Sequence, residues 1–171
     1  NDPAYIRSFV QTMGSCPKYR ANPNIGKANI FIGLMIRFDV LAKLGEIDTL
    51  GRELKDVYLE ELQLGSGTFF ENINAFSGCH GFNGMAGAFL ISDVLGLQSV
   101  SEDTKKIIIA PNPGTLRWAK GSAVTKEGLI FCEWSSDAYT HTMEIRIQKP
   151  VGYEIEFHRA FALNGWRITI N

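Results

Sequence analysis

The chain has 171 residues, which is enough for one domain or two small ones. Its 17 basic and 18 acidic side chains leave a formal net charge of -1, so a polyanion such as nucleic acid is not an expected partner. Hydrophobic residues make up 45% of the chain, which is an ordinary share for a globular protein. No apolar run approaches the ~20 residues of a membrane span. We therefore expect a globular protein that binds neither nucleic acid nor membranes.

Up to about Gln98, apolar residues recur with the spacing of helices. A first predicted helix follows Pro3 and stops at Gly14. After a loop rich in Pro, Asn and Lys, a second helix is capped by Asn29 and runs to Gly45. This second helix is apolar around most of its circumference, so it is expected to be buried nearly all round.

A third predicted helix begins at Asp48 and is amphipathic. A short turn separates it from the second helix, which predicts an αα-hairpin. After a loop over residues 65–78, a fourth helix carries Met85 to Leu95 and is stopped by Gly96. The charged residues assigned to the outer face of the third helix are Arg52, Glu53, Lys55, Asp56, Glu60 and Glu61.

Beyond Ser101 the apolar residues alternate with polar ones, as they do in strands with one buried face. Helices first and strands afterward predict two units that do not interleave, with domains over residues 1–103 and 104–171. The strands are separated by turns rich in Pro, Gly, Asn and Ser. The predicted strands cover residues 106–109, 116–120, 129–134, 140–148, 153–158 and 166–170.

The three cysteines, Cys16, Cys79 and Cys132, are odd in number and show no CxxC spacing. Neither a disulfide framework nor a zinc site is therefore predicted, and buried free thiols are the better account. The Gly-rich stretch at residues 65–67 is not followed by the Gly-Lys-Ser/Thr of a phosphate-binding loop. We expect neither a metal nor a cofactor.

The loop between the third and fourth helices combines a carboxylate, aromatic rings and an imidazole. Glu71 supplies the carboxylate, His80 the imidazole, and Phe69, Phe70 and Phe82 the rings. Sugar-cleaving sites use these parts, because a carboxylate activates water or attacks the anomeric carbon and aromatic faces stack on a pyranose. Taken alone, the pattern is also that of a connecting loop with a solvated Glu.

Four segments between residue 65 and residue 134 carry a family resemblance: Gly67-Thr68-Phe69-Phe70-Glu71, Ser77-Gly78-Cys79-His80-Gly81, Val94-Leu95-Gly96-Leu97 and residues 109–122. In this order they resemble the end of the inverting α-L-rhamnosidase family. In the first, Phe70 stands where the family's Thr-(x)-Trp-Glu pattern has Trp, and Asn72-Ile73 replace polar-aromatic residues that often follow the Glu. The last and most specific segment looks like the family's entry into its C-terminal β-domain.

The resemblance implies a fold and an activity. It implies the last helical hairpins of an α/α toroid catalytic domain followed by an antiparallel β-sandwich, in a glycoside hydrolase with no cofactor and a carbohydrate substrate. Glu71 matches the family's general base, so it is expected between two helices at the rim of a concave surface, unpaired with Lys or Arg. The residues implied to contact substrate are His80, Phe69, Phe70, Phe82 and Asn72.

Further expectations concern the parts of such an enzyme outside this chain. The general acid is expected upstream of Asn1, in a missing part of the catalytic domain, so the isolated chain is expected to act poorly on sugars. The resemblance favours a periplasmic or extracellular location over a cytoplasmic one. The sequence leaves open the sugar, the linkage, the oligomeric state and whether the natural chain extends upstream.

A second hypothesis is a non-catalytic carbohydrate-binding or interaction module built on the β-sandwich, and a purely structural subunit is a third. Trp118 and Trp134 lie on predicted strands, where large aromatic residues usually belong to the sheet core. If both lay on a solvent face with Tyr139 while Glu71 was buried or salt-bridged, the binding module would be favoured. The orientation of these aromatic residues therefore discriminates between the hypotheses.

Overall fold

A computed structural model describes residues 2–12, 24, 32–65, 67–71 and 77–171. The chain forms two compact units, residues 1–87 and residues 88–171. This division lies N-terminal to the predicted domain boundary at residue 103, which stays a prediction. Within the described residues, no helix is long and apolar enough to cross a membrane, and no group of three or more His, Cys, Asp or Glu could hold a metal ion.

The helices occur in the predicted order. The predicted end of the first helix at Gly14 and the Asn29 cap lie outside the described residues. Gly45, with φ of 77°, makes the short turn of the predicted hairpin. The helices are α1 (Pro3–Thr12), α2 (Ile32–Leu44), α3 (Ile47–Gln63) and α4 (Met85–Phe89), with a 3-10 turn (Gly81–Gly84) before α4 and a π-helical turn (Leu90–Leu95) after it.

Helix α2 buries one face and leaves another open. Leu34, Phe38 and Leu41 recur at helical spacing and are fully buried. Ile32 and Ile36, in contrast, are each more than half exposed in this chain. The prediction that α2 is buried nearly all round is therefore wrong for these residues, because no described element of the chain covers them.

A buried ion pair joins α2 to α3. Arg37 and Glu53 are both buried, and Arg37 Nε donates to Glu53 Oε2 at 2.7 Å while Nη2 pairs with Oε1. The same guanidinium donates to the carbonyl oxygens of Phe9 at 3.3 Å and Val10 at 2.9 Å, which ties α1 to the hairpin. The assignment of Glu53 to the outer face is thus wrong, since its spacing from Leu50 places it on the buried face.

The second unit is built from two sheets. Among the described residues, one sheet has the order β1-β2-β6 and the other β3-β4-β5-β7. The pairings of β2 with β6 and of β5 with β7 are parallel, and the remaining pairings are antiparallel. The strands are β1 (Leu97–Ser101), β2 (Lys106–Ile109), β3 (Trp118–Thr125), β4 (Gly128–Asp137), β5 (Thr142–Gln148), β6 (Glu154–Phe157) and β7 (Arg167–Ile170).

Helices followed by sheets were predicted, and the structure confirms that order. The sheets are rich in antiparallel pairs without being purely antiparallel, because each of the last two strands joins a sheet alongside a strand of its own direction. Strand β1 was not predicted at all. The alternation predicted in β5 is confirmed at its start, where Met143 and Ile145 are buried and Arg146 is exposed.

The π-helical turn packs closely against the strands of its own unit. The Trp134 indole Nε1 donates to the Leu95 carbonyl oxygen at 3.1 Å. Gly121 of β3 stands so near that an added Cβ would lie 2.9 Å from the Leu95 side chain. Gly96 ends the turn as predicted, with a left-handed φ of 91°, and an added Cβ there would lie 2.3 Å from the Pro111 nitrogen.

Candidate active site

The loop that follows α3 turns back on itself. Gly65 and Gly67 adopt positive φ values of 72° and 70°, which glycine accepts without strain. The Glu71 N–H then donates to the Ser77 carbonyl at 3.3 Å, and the His80 N–H donates to the Phe69 carbonyl at 2.7 Å. These two backbone hydrogen bonds bring the two motifs of the predicted site side by side.

Within this loop, the side chains of Glu71 and His80 are in contact. His80 Nε2 lies 3.8 Å from Glu71 Oε2, and the side chains are 28% and 43% exposed, respectively. The contact is an ion pair only when the imidazole carries a second proton. Within the described part of the chain, no Lys or Arg forms a salt bridge with Glu71, so its carboxylate keeps exposed surface for a water molecule.

The three aromatic residues of the predicted site differ in exposure. Phe70 is buried, and a Cβ at Gly78 would already lie 3.4 Å from its ring. Phe69 is 39% and Phe82 47% exposed. Because a stacking platform needs an open ring face, the stacking role remains a proposal for Phe69 and Phe82, while Phe70 has a packing role. Asn72 lies outside the described residues.

Polar residues that the sequence analysis did not select support this loop. The Asn83 side-chain amide donates to the Phe70 carbonyl oxygen, and the Tyr58 hydroxyl donates to the Asn83 carbonyl oxygen at 2.5 Å. Phe69 meets the Tyr58 ring edge to face, with ring centroids 5.5 Å apart. Tyr58 and Asn83 are both buried, so this network lies inside the first unit.

Glu61 belongs to the same buried region. It was assigned to the outer face of α3, and that assignment is wrong because it follows Tyr58 by one helical turn and shares its buried face. Burial raises the pKa of the Glu61 carboxyl. Burial, followed by the nearby Glu61 charge, also raises the pKa of Tyr58 to about 12. The helical spacing from Val57 and Tyr58 was the signal that could have found Glu61.

In the second unit, the aromatic residues do not share one surface. Trp134 is buried and Trp118 is 65% exposed, so the prediction of a core position holds for Trp134 and is wrong for Trp118. Tyr139 is almost fully exposed, in the turn between β4 and β5. The alignment that would favour a binding module is therefore absent from these three residues.

The comparisons with known proteins agree with this architecture. Residues 96–158 match the family model described as the bacterial alpha-L-rhamnosidase C-terminal domain. This part of the chain is thus similar to the C-terminal domain of bacterial α-L-rhamnosidases. The match begins at the left-handed Gly96 and covers β1 to β6. The family resemblance predicted from the sequence is thereby confirmed.

A solved structure extends the similarity to the helices. The GH78 family rhamnosidase of Bacillus sp. GL1 matches 98% of this chain with a TM-score of 0.74 and 21% sequence identity. At this identity the likeness shows the shared fold. The chain covers 18% of the length of that rhamnosidase. A search of curated proteins found no significant match. The chain thus resembles α-L-rhamnosidases in sequence over residues 96–158 and in fold over nearly its whole length.

Proposed function

We propose that this chain is the C-terminal part of an inverting glycoside hydrolase that cleaves terminal α-L-rhamnosyl or related linkages. The observation that carries the proposal is the Glu71 carboxylate, which is 43% exposed and lies 3.8 Å from His80 Nε2. It stands in the segment that resembles the family's Thr-(x)-Trp-Glu motif. A carboxylate with an accessible oxygen beside an imidazole can take a proton from an attacking water.

An inverting mechanism assigns Glu71 one of two roles. The general base deprotonates water while a second carboxylic acid, roughly 6.5 to 9.5 Å away, protonates the leaving oxygen. In this proposal Glu71 is the base, and the acid comes from the upstream part of the catalytic domain. The share of the Bacillus rhamnosidase that the chain covers, 18%, fits such a division. The 171-residue chain by itself is then expected to be inactive.

The helical unit is proposed to be the last part of an α/α toroid. Helices α2 and α3 form a hairpin of the kind that such toroids repeat. Exposed apolar residues on both helices, including Ile36 and Leu62, would be covered by a preceding hairpin. In the same proposal, the two sheets of the second unit are the layers of a β-sandwich.

The proposed substrate contacts lie around Glu71. His80 can donate a hydrogen bond to a sugar hydroxyl, and Phe69 and Phe82 keep ring surface for stacking. Asn72 is proposed as a further contact on the grounds of its place next to Glu71 in the sequence. The partner is therefore a carbohydrate, and neither nucleic acid nor a membrane surface is proposed.

The test is hydrolysis of an aryl α-L-rhamnoside by the complete protein that carries these residues, followed by proton NMR of the first product. Inversion predicts that β-L-rhamnose appears first and then mutarotates. Glu71→Gln should lower kcat by about two to four orders of magnitude, because the base acts in the transition state. Glu60→Gln, on the exposed face of α3, is the matched control. Retention of most activity by Glu71→Gln would place the base elsewhere, and α-L-rhamnose as first product would exclude inversion.

A second candidate function, a carbohydrate-binding surface on the β-unit, is favoured by one observation. The exposed indole of Trp118 borders a shallow depression that Lys120, Glu133 and Arg146 also line. An aromatic face flanked by charged groups suits a sugar. Trp118→Ala should then weaken polysaccharide binding while hydrolysis of the small aryl rhamnoside is unchanged. If Trp118→Ala lowers binding and hydrolysis equally, or changes neither, this candidate function is removed.

A further inference from the structure

Two buried polar residues approach the backbone of Phe70, the residue directly before Glu71. From the 3-10 turn, Asn83 donates its side-chain amide to the Phe70 carbonyl oxygen. From α3, the Glu61 carboxyl group lies near the Phe70 N–H, which acts to lower the pKa of that carboxyl group. Glu61 is 3% and Asn83 0% exposed, so both contacts are shielded from solvent. Both backbone polar groups of Phe70, its N–H and its C=O, are thus approached by buried side chains.

The cluster has more acceptors than donors. Among the described residues, neither Glu61 carboxylate oxygen nor Asn83 Oδ1 has a hydrogen-bond partner. The Phe70 N–H opposes the effect of burial on the pKa of Glu61, but it does not reach hydrogen-bond geometry with either oxygen. A buried charge without a partner costs several kcal/mol, roughly, whereas a protonated carboxyl adds the donor that the cluster lacks.

Among the described residues, two contacts hold Glu71 itself. Its N–H makes one 3.3 Å hydrogen bond to Ser77, and its carboxylate makes the 3.8 Å contact with His80. A catalytic base has to be held to within about 0.5 Å of its working position, which exposed contacts of this length do not achieve alone. The buried hydrogen bond next to Glu71 is the one that Asn83 makes to the Phe70 carbonyl oxygen.

We propose that Glu61 and Asn83 are positioning residues, which hold the backbone of Phe70 and thereby set the position of the Glu71 carboxylate. Among the described residues, the titratable group coupled to Glu61 is Tyr58, one helical turn before it on α3. This proposal rests on the proposed function, because positioning matters only if Glu71 is the catalytic base. Whether Glu61 and Asn83 hold the loop can be measured without any activity.

The first measurement is amide hydrogen exchange at Phe70 and Glu71 in the complete protein. Glu61→Met keeps the length of the side chain and removes its polar group, so the protection factors should fall about tenfold. Glu61→Gln keeps a polar group and should retain them, and Glu60→Gln, on the exposed face, should change nothing. The amides of β2 serve as the reference for an intact fold. Equal protection in Glu61→Met and Glu60→Gln would overturn the proposal.

The second measurement compares the wild type with Glu61→Gln across pH, which also decides the case if Glu61→Met does not fold. Because the pKa of Glu61 is raised in the folded state, its contribution is complete below the unfolded value of about 4.3 and is lost as pH rises through the folded value. Protection of the Phe70 amide should fall with pH in the wild type and stay level in Glu61→Gln. Parallel curves would overturn the proposal.

The third measurement separates positioning from folding and from the proposed function. In the complete enzyme, Glu61→Met and Asn83→Leu should lower kcat about tenfold with KM unchanged, because substrate binding does not depend on the placement of the base. Glu61→Gln should restore kcat. Unchanged kcat in both variants would overturn positioning. A wild type without any glycosidase activity would sink the proposed function, while the exchange results would still decide whether Glu61 and Asn83 hold the loop.

Discussion

The Trp134 indole N–H donates a hydrogen bond to the Leu95 carbonyl oxygen, and both residues are almost fully buried. Leu95 is the last residue of the π-helical turn, whose closing carbonyls have no partner within the turn itself. The Trp134 side chain therefore completes the end of this turn from strand β4. This bond joins the start of the second unit to the middle of its larger sheet.

Trp134→Phe should destabilise the protein by about 1 to 3 kcal/mol, because it leaves the buried Leu95 carbonyl without a donor. Urea unfolding of the second unit, followed by the amides of β4, measures the loss. Trp118→Phe is the matched control, since Trp118 is 65% exposed and belongs to the neighbouring strand. A loss for Trp134→Phe no larger than that for Trp118→Phe would contradict the role of the hydrogen bond.

The ion pair between Arg37 and Glu53 should behave as a buried pair. Arg37→Met leaves the Glu53 carboxylate buried and uncompensated, so we expect a loss of about 3 to 5 kcal/mol in the free energy of unfolding. The double variant Arg37→Met/Glu53→Leu should recover much of that loss. Asp39→Asn breaks the exposed pair with Lys43 and should cost no more than about 1 kcal/mol. Additive losses in the double variant would show that the pair is not coupled.

Gly96 and Gly152 form a matched pair for a backbone test. Both have φ of 91°, but an added Cβ at Gly96 lies 2.3 Å from the Pro111 nitrogen, while at Gly152 it meets nothing within 4 Å. Gly152→Ala should therefore cost about 1 to 2 kcal/mol for the left-handed backbone alone. Gly96→Ala should cost a further 1 to 3 kcal/mol or so for the clash. Calorimetry of the two variants checks this, and similar melting temperatures would refute it.

Cys79 and Cys132 should differ in reactivity. Burial, with a smaller effect of the Glu133 charge, raises the pKa of the Cys132 thiol to about 11, so almost no thiolate is present at pH 8. Cys79 is exposed. In a Cys16→Ser background, an aromatic disulfide reagent at pH 8 should label Cys79 in the native protein and Cys132 only after denaturation. Peptide mapping by mass spectrometry measures both, and native labelling of Cys132 would contradict its buried position.

Much of the fold could be predicted because its signals are local. The change from helical to alternating spacing beyond Ser101 placed the strands, and Gly96 marked the end of a helix. Strand β1 was missed because residues 97–101 carry little apolar alternation, and they become a strand through pairing with β2. The directions of β6 and β7 were equally hidden, since parallel pairing depends on strands far apart in sequence.

The site could be predicted in part. The resemblance selected Glu71 and His80, and the structure places them 3.8 Å apart. Glu61 was missed because a charged residue was assigned to solvent without counting its spacing from Tyr58. Asn83 carried no motif, and its contact with Phe70 depends on how the loop folds back. Trp118 looked like a core residue from its strand position, but which face it occupies depends on the register with β4.

The two parallel pairings bear on the order in which the second unit is made. Strand β6 closes one sheet and β7 the other, and the last bonds of the larger sheet join Asn171 to Ile145 and Ile147. The smaller sheet stays incomplete until β6 has left the ribosome and the larger sheet until β7 has, whereas the contacts within the α2–α3 hairpin are near in sequence and can form early. Until β6 and β7 are made, one edge of β2 and one edge of β5 are unpaired. A chaperone would have most to protect during this part of synthesis, because unpaired strand edges can pair with other chains.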